Sequence, residues 1–594
     1  MGGVRYNFVL LGMLFLAIVL GVRLSTLQVI DGVEHGYEYL KKQGESRTIR
    51  EELIAAQRGM ILDRNGAPLA VSTKLYSLIA DPKKIIDKFD LMNREKPKKY
   101  KKGPAGEKAR TKDEERAAGL KKKWEDLASL LGLSAHDLGV FILRHKDRRF
   151  AYLKRQITPD MIGQFLELSV PGVYSEEENK RFYPAGEVVS HLVGITNVDD
   201  KGQEGLELEY DQWLGGKNGR KQVIKDLKGR TIRDVRLLDK EVPGGKLETS
   251  IDLRLQYLAY RELKAAVTKH KAKGGSVVVL DVKTGEVLAM ANQPAVNPND
   301  RSSIKPTELR NRAITDAFEP GSTVKPFTML AALESGSFTP TTKVNTSPGS
   351  IKVGRKILHD QRDYGLLSMA EILQKSSQVG TTKIALSLKE GLQLDALKRA
   401  GLGQNPGGEF PGKSKGVLER PESWTNIDKA TMSYGYGMTT TLLQLARAYT
   451  VFANGGNLID ISLIKRDKPK RSKKVFKKKD VSSLMDMMRL VTLEGGTGRK
   501  AVVSGYSVAG KTGTSHKYNE KGYSEDQYVS SFVGLVPSNK PKVVIAVMVD
   551  EPSAGKYFGG DVAAPIFTSV AASAMRVLNI KPDEAGRFIK VSQR

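Results

Sequence analysis

The chain has 594 residues, with 95 Lys+Arg against 67 Asp+Glu for a net charge of +28, seven histidines and no cysteine. The lack of cysteine excludes disulfides, thiolate metal sites and cysteine nucleophiles. The histidines, His35, His136, His145, His191, His270, His359 and His516, show no pair at helical ligand spacing, so no metal or other cofactor is expected.

Length suggests roughly three or four structural units. Much of the positive excess sits in two patches, residues 96–123 and 465–479, each with one aromatic, Tyr100 or Phe476. That is too few for a base-stacking platform, so both read as solvated or disordered charge runs and nucleic acid is not an expected partner.

In chain order, the uncharged apolar run 6–22 lies between Arg5 and Arg23 and as a helix spans about 25 Å. Snorkelling arginines at both ends make this enough for a membrane span. No small-residue cleavage pattern follows Val22, so the run reads as an uncleaved signal anchor; one arginine on each side does not orient it. Residues 58–70 predict strand, Asn-Gly turn, strand. Residues 91–125 read as a charged insertion or linker, and helical periodicity returns over 124–168, with Leu127, Leu130 and Leu131 on the apolar stripe. Turns and short elements, including Gly202-Gln203-Glu204-Gly205, continue to Pro243.

A short strand and helix follow over 249–266, then a hairpin of 276–281 and 286–291 around Lys283-Thr284-Gly285. Helices are predicted to dominate 325–451, with strands over 506–514, 528–536 and 543–549, and a last apolar helix over 563–578. A hairpin before the helices and three strands after them imply one antiparallel sheet packed by helices, an α+β fold.

Three stretches carry chemistry. Phe318-Glu319-Pro320-Gly321-Ser322-Thr323-Val324-Lys325-Pro326-Phe327 is a turn entering an amphipathic helix. Residues three apart share a helical face, so the Lys325 amine, if neutral, could take the Ser322 proton and make it an acylable nucleophile. Ser302-Ser303-Ile304-Lys305 fits the same spacing, but Pro306 follows and no apolar stripe continues. Ser376-Ser377-Gln378, within a predicted helix over 369–388, supplies a hydroxyl and an amide. Lys511-Thr512-Gly513-Thr514, on a strand, offers a fixed charge suited to a carboxylate and a glycine that admits close backbone approach.

A rival reading comes from Gly505-Tyr506-Ser507-Val508-Ala509-Gly510-Lys511-Thr512, which fits the phosphate-cradling loop G-x-x-x-x-G-K-T, with Asp550-Glu551 after an apolar strand as its companion. That loop needs a helix after it, and Gly513-Thr514-Ser515-His516-Lys517-Tyr518-Asn519 predicts none.

Ser322/Lys325, Ser376 to Gln378 and Lys511 to Gly513 occur in the order found in the penicillin-recognising serine enzymes, 54 and 135 positions apart. With residues 310–321, Ser433-Tyr434-Gly435-Tyr436-Gly437-Met438, Ala554-Gly555-Lys556-Tyr557-Phe558-Gly559-Gly560, the 58–70 hairpin and the anchor, the chain resembles the division-specific class B penicillin-binding proteins over nearly its whole length.

The resemblance implies a penicillin-binding/serine β-lactamase-like transpeptidase domain on an elongated mixed α/β pedestal with one N-terminal transmembrane helix. The implied division is a cytoplasmic tail 1–5, anchor 6–25, periplasmic pedestal 26–243 with a Lys-rich insertion 91–125, transpeptidase domain 244–582 and tail 583–594. The implied activity is septal peptidoglycan D,D-transpeptidation in the bacterial inner membrane. Ser322 is then the nucleophile, Lys325 the base, Ser376 a proton relay, and Gln378, Lys511, Thr512, Gly513 and Thr514 bind substrate. Backbone N–H groups of Ser322 and Thr514 form the oxyanion hole. Expected partners are stem peptides on lipid-linked precursor and nascent glycan, β-lactams as inhibitors, and a membrane-embedded division glycosyltransferase with other division proteins. The family has asparagine where this chain has Gln378, one methylene longer. An elongation-type transpeptidase and a noncatalytic division scaffold with a decayed site are the alternatives.

Overall fold

The computed structural model describes residues 2–28, 38–40, 42, 49–93, 103–225, 231–302, 304–418, 425–468, 472–520 and 522–584. Ser303 of the alternative Ser-x-x-Lys match, residues 96–102 and 469–471 of the Lys-rich patches, and most of the expected C-terminal tail lie outside them. Two units emerge: Met1–Arg58, Thr73–Lys180 and Gly215–Gly244 form one, and Gly59–Ser72, Arg181–Leu214 and Gly245–Arg594 the other.

In the first unit, helix α1 (Gly2–Gln28) contains an apolar stretch, Tyr6–Gln28, long enough to cross a membrane and with none of its apolar window buried. It outruns the predicted 6–22 because Arg23 and the polar residues after it are compatible with helix. Strands Ile49–Ile54, Gly219–Lys225 and Thr231–Asp239 form an antiparallel sheet with Gly219–Lys225 central.

Two expectations are corrected in this unit. The charge run over 91–125, expected as an insertion or linker, is largely helix: α2 (Pro104–Leu131) starts with Pro104 behind Gly103 and ends on Gly132 at φ 74°. Its Ala, Glu, Lys, Arg and Leu content favours helix; proline entry and left-handed glycine exit define its ends. Leu127 is buried, but Leu130 faces solvent. The helical reading of 124–168 is interrupted by strand Ala151–Ile157, which pairs with Tyr76–Ala80; this strand shares with the helices one core around Leu78, Trp124, Leu127 and Phe165.

The second unit is built on a five-stranded antiparallel sheet. Its strands are β1 (Gly274–Asp281), β2 (Val287–Gln293), β3 (Ala509–Asn519), β4 (Gly522–Val536) and β5 (Val543–Asp550), in the order β2-β1-β5-β4-β3. The predicted joining of an early hairpin to three late strands therefore holds. The unbroken apolar runs in β1 and β5 follow from burial on both faces. Val277, Val279, Ile545 and Val547 meet helices Leu253–Lys269 and Gly559–Val577, whereas Val278, Leu280, Val544 and Ala546 meet the helices inserted between β2 and β3.

Among those is α3 (Lys325–Glu334), buried on all sides, with Phe327 against Tyr449 and Phe452. The helix expected over 369–388 is two, α4 (Met369–Lys375) and α5 (Gln378–Ser387), broken at Ser376-Ser377. The expected strand 506–514 begins later, at Ala509, and runs on to Asn519. Nor is the 465–479 patch wholly solvated: Phe476 is buried under the Arg399 guanidinium, 4.4 Å from its ring centre.

Candidate active site

Ser322 lies in a single 3-10 turn, Gly321–Val324, that feeds α3. Pro326 sits in the first turn of α3, where its missing N–H costs least. The turn is fixed by the Thr323 hydroxyl donating to the Pro320 carbonyl (2.8 Å) and the Tyr449 hydroxyl donating to the Thr323 carbonyl (2.6 Å). Ser322 is half-buried and Lys325 is 1% exposed.

The sequence places the Lys325 amine beside the Ser322 hydroxyl on one helical face. In the structure Ser322 stands in the turn before the helix, and both Lys325 side-chain hydrogen bonds go to Ser376: 2.5 Å to its carbonyl and 3.2 Å to its Oγ. The Ser376 hydroxyl also accepts from Lys511 Nζ at 2.9 Å. One hydroxyl thus stands between two buried lysines. Lys511 further donates to the Thr512 carbonyl and hydroxyl, at 3.0 and 3.2 Å.

Ser376 reaches this position because it ends α4 in the left-handed region, φ 59°, which a non-glycine residue rarely adopts and surrounding contacts must hold. Those contacts involve Asp360, which sequence reading missed. Its carboxylate accepts from the Ser377 hydroxyl and Gln378 N–H, each at 2.5 Å, and from Val379 N–H at 3.2 Å. It caps the N-terminus of α5, where an anion is favoured. The only hint in the sequence is indirect: a helix starting at Gln378 leaves N–H groups needing an acceptor.

Burial drives the Lys325 amine down from its ordinary 10.5 to about 7, with the Asp360 carboxylate pulling the other way. Burial and then the neighbouring Lys325 charge hold Lys511 well below the usual lysine range. Desolvation disfavours the cation in both.

β3 is an edge strand of the sheet, lying against the Ser322 turn. A Cβ on Gly513 would come 2.3 Å from Ser531 Oγ, 2.8 Å from Thr323 Cγ2 and 2.9 Å from the Pro320 carbonyl, so only glycine fits. The Ser515 hydroxyl donates to the Glu319 carbonyl (2.7 Å), and Thr514 Oγ1 accepts from Gly559 N–H (3.0 Å). Thr512 Oγ1 pairs with Thr497 Oγ1 at 2.9 Å.

Ser322, Lys325, Ser376 and the 511–514 segment therefore converge. Gln378 lies two residues after Ser376, at the start of α5, its side chain beside the Tyr434 hydroxyl. The phosphate-loop reading fails, since Gly510 to Thr512 run inside a strand that continues to Asn519. Among the described residues no three His, Asp or Glu side chains converge as metal ligands.

Residues 275–572 match the sequence model of the penicillin binding protein transpeptidase domain, and residues 53–249 that of the penicillin-binding protein dimerisation domain. The chain is 39% identical to peptidoglycan D,D-transpeptidase FtsI of Escherichia coli, over 96% of this chain and 91% of that protein. It is 38% identical to the probable peptidoglycan D,D-transpeptidase PbpC of Pseudomonas aeruginosa, over 98% and 96%. The crystal structure of penicillin binding protein 3 from Mycobacterium tuberculosis, complexed with aztreonam, superposes with a TM-score of 0.65 at 25% identity, covering 89% of this chain and 98% of that one. With the likeness extending over nearly the full length of these relatives, the chain belongs to the penicillin-binding protein transpeptidase family, among the FtsI-type peptidoglycan D,D-transpeptidases.

Proposed function

We propose that the protein cross-links peptidoglycan stem peptides through a serine acyl-enzyme. The observation that carries this reading is the Ser376 hydroxyl held between buried Lys325 and Lys511 beside the Ser322 turn. Neutral Lys325 takes the Ser322 proton as Oγ attacks the penultimate D-Ala carbonyl. The backbone N–H groups of Ser322 and Thr514 receive the oxyanion, and the peptide C–N bond breaks. The proton passes from Lys325 through Ser376 to the departing D-Ala amine. An acceptor amine from a neighbouring stem then attacks the ester and restores Ser322.

Lys511 and the Thr512 hydroxyl take the substrate's terminal carboxylate, Gly513 lets its backbone approach β3, and the unpaired edge of β3 offers it strand-like hydrogen bonds. Gln378 orients the substrate amide. β-Lactams, which mimic D-Ala-D-Ala, acylate Ser322 by the same route.

The same reading places the chain in the inner membrane, anchored by residues 6–25, with a periplasmic pedestal over 26–243 and a transpeptidase domain over 244–582. It acts at the division septum with a membrane-embedded glycosyltransferase and other division proteins. The noncatalytic scaffold remains as a second reading on account of Gln378 alone. Intact-mass spectrometry after penicillin treatment separates them: the enzyme gains one covalent adduct that Ser322→Ala lacks while remaining folded. An unmodified native protein would favour the scaffold.

A further inference from the structure

A second cleft opens in the same unit, away from the residues around Ser322. It encloses about 500 Å³ and is lined by Tyr210, Trp213, Lys246, Glu248, Lys465 and Asp467, with Leu247 and Ile464 beneath. Its volume falls in the range of small-ligand pockets.

Trp213 is its distinguishing element. The indole packs closely against a glycine: a Cβ on Gly245 would come 2.2 Å from its Cε2, 2.4 Å from its Nε1 and 2.6 Å from its Cζ2. Trp213 Nε1 donates to the Lys246 carbonyl at 3.2 Å and the Trp213 carbonyl accepts from Gly245 N–H at 2.8 Å. The ring is therefore fastened on one side, yet the residue is 59% exposed. Such a ring offers its free face without an ordering cost.

The rim supplies polar groups of balanced charge. Glu248 lies 2.8 Å from Lys246 and 3.8 Å from Lys465, so one carboxylate serves two ammonium groups in an exposed cluster, and Asp467 brings the charge of the rim to zero. The exposed Asp467 carboxylate and the half-buried Tyr210 side chain complete the lining. Burial, Glu409 and Glu209 push Tyr210 up, so it stays a neutral hydroxyl at physiological pH.

We propose that this cleft binds the glycan backbone of peptidoglycan. A pyranose ring presents an apolar C–H face and an equatorial girdle of hydroxyl and acetamido groups. A fixed aromatic face flanked by the Asp467 carboxylate and the Tyr210 hydroxyl, in a rim whose two lysines and two carboxylates sum to no net charge, is complementary to that ligand. An isolated anion or a nucleic acid would instead require uncompensated cations. This rests on the transpeptidase reading only for the identity of the polymer: the catalytic cleft takes the stem peptide, and the Trp213 cleft takes the sugars that carry such stems.

The test is saturation-transfer NMR and tryptophan-fluorescence titration of the full-length protein in detergent, using the peptide-free disaccharide and tetrasaccharide of the glycan backbone as probes. Binding is expected, tighter for the tetrasaccharide, with at least tenfold weakening in Trp213→Leu and a smaller loss in Asp467→Asn. Fluorescent-penicillin labelling at Ser322 should remain unchanged in both variants, which shows that they are folded. If the native protein labels with penicillin but binds neither saccharide, or if Trp213→Leu binds as well as native protein, the cleft is not a glycan site. If saccharide binds in a protein that does not label, the catalytic reading fails and this one stands.

Discussion

The environment of Lys325 predicts how acylation depends on pH. Its amine falls from 10.5 to about 7 because it is buried, a penalty on the cation of about 5 kcal/mol at 1.36 kcal/mol per decade. About one molecule in ten then carries the free base at pH 6, half at pH 7 and nine in ten at pH 8. The second-order rate of acylation by a fluorescent penicillin, followed by stopped-flow, should therefore rise roughly tenfold from pH 6 to 8 and level off above. Asp360 raises the Lys325 value, so Asp360→Asn, which keeps an oxygen acceptor for α5 but removes the charge, should move the inflection to lower pH. A rate that is flat from pH 6 to 8, or that still climbs tenfold per pH unit above 9, would refute Lys325 as the base. An inflection that moves upward in Asp360→Asn would refute the electrostatic assignment.

The same burial affects stability. Folded Lys325 binds fewer protons than unfolded Lys325 between pH 7 and 10.5, so stability rises through that window by at most about 1.4 kcal/mol per pH unit, while below pH 7 the whole penalty is present. Lys325→Met should lose labelling, and thermal melts at pH 7 and 9.5 should show native protein gaining more with pH than the variant. Gly513→Ala forces a methyl into contacts of 2.3–2.9 Å; overpacking of this kind costs about 1–3 kcal/mol. Calorimetry should show that loss, and labelling should fall as β3 moves off the Ser322 turn. Gln378→Ala should slow acylation by about 100-fold, whereas Gln378→Asn should stay within about tenfold of native; equal rates for all three would remove Gln378 from substrate binding.

The sheet was legible because its strands are apolar on both faces: 276–280 and 543–549 admit few other structures, and they sit in the middle of the sheet. Ser322, Lys325 and the 511–514 segment were legible because each is a short motif whose spacing is set by one turn or one strand. What escaped depends on contacts distant in sequence. Asp360 reaches Gln378 across 18 positions, and no local pattern marks it. The break at Ser376 lies in residues that are neutral toward helix; it is held by the Asp360 cap and the two lysines rather than by a glycine or proline. Net charge suggests solvation over 104–131 and hides the helix there, although Lys, Arg and Glu are good helix formers and Arg110 and Glu114 pair at 3.2 Å, one turn apart.

Two buried lysines sharing one hydroxyl raise a question of charge that bears on selectivity. Each cation is disfavoured by desolvation, and the Lys325 charge depresses Lys511 further. Without a counter-charge beside Lys511, the pair therefore resists carrying both protons. A ligand with a carboxylate beside Lys511 changes the balance: it supplies the missing counter-charge, so Lys511 takes a proton while Lys325, further from the anion, can remain the base. Ser376, accepting from both amines, is where the two equilibria meet. On this argument a peptide ending in a free carboxylate prepares the site for its own acylation, and an amidated terminus does not. The discrimination should then appear in the acylation rate as well as in binding, so methyl-ester and amide analogues of the substrate should lose kcat together with affinity. Loss confined to KM would mean that Lys511 contributes binding alone and that the two lysines titrate independently.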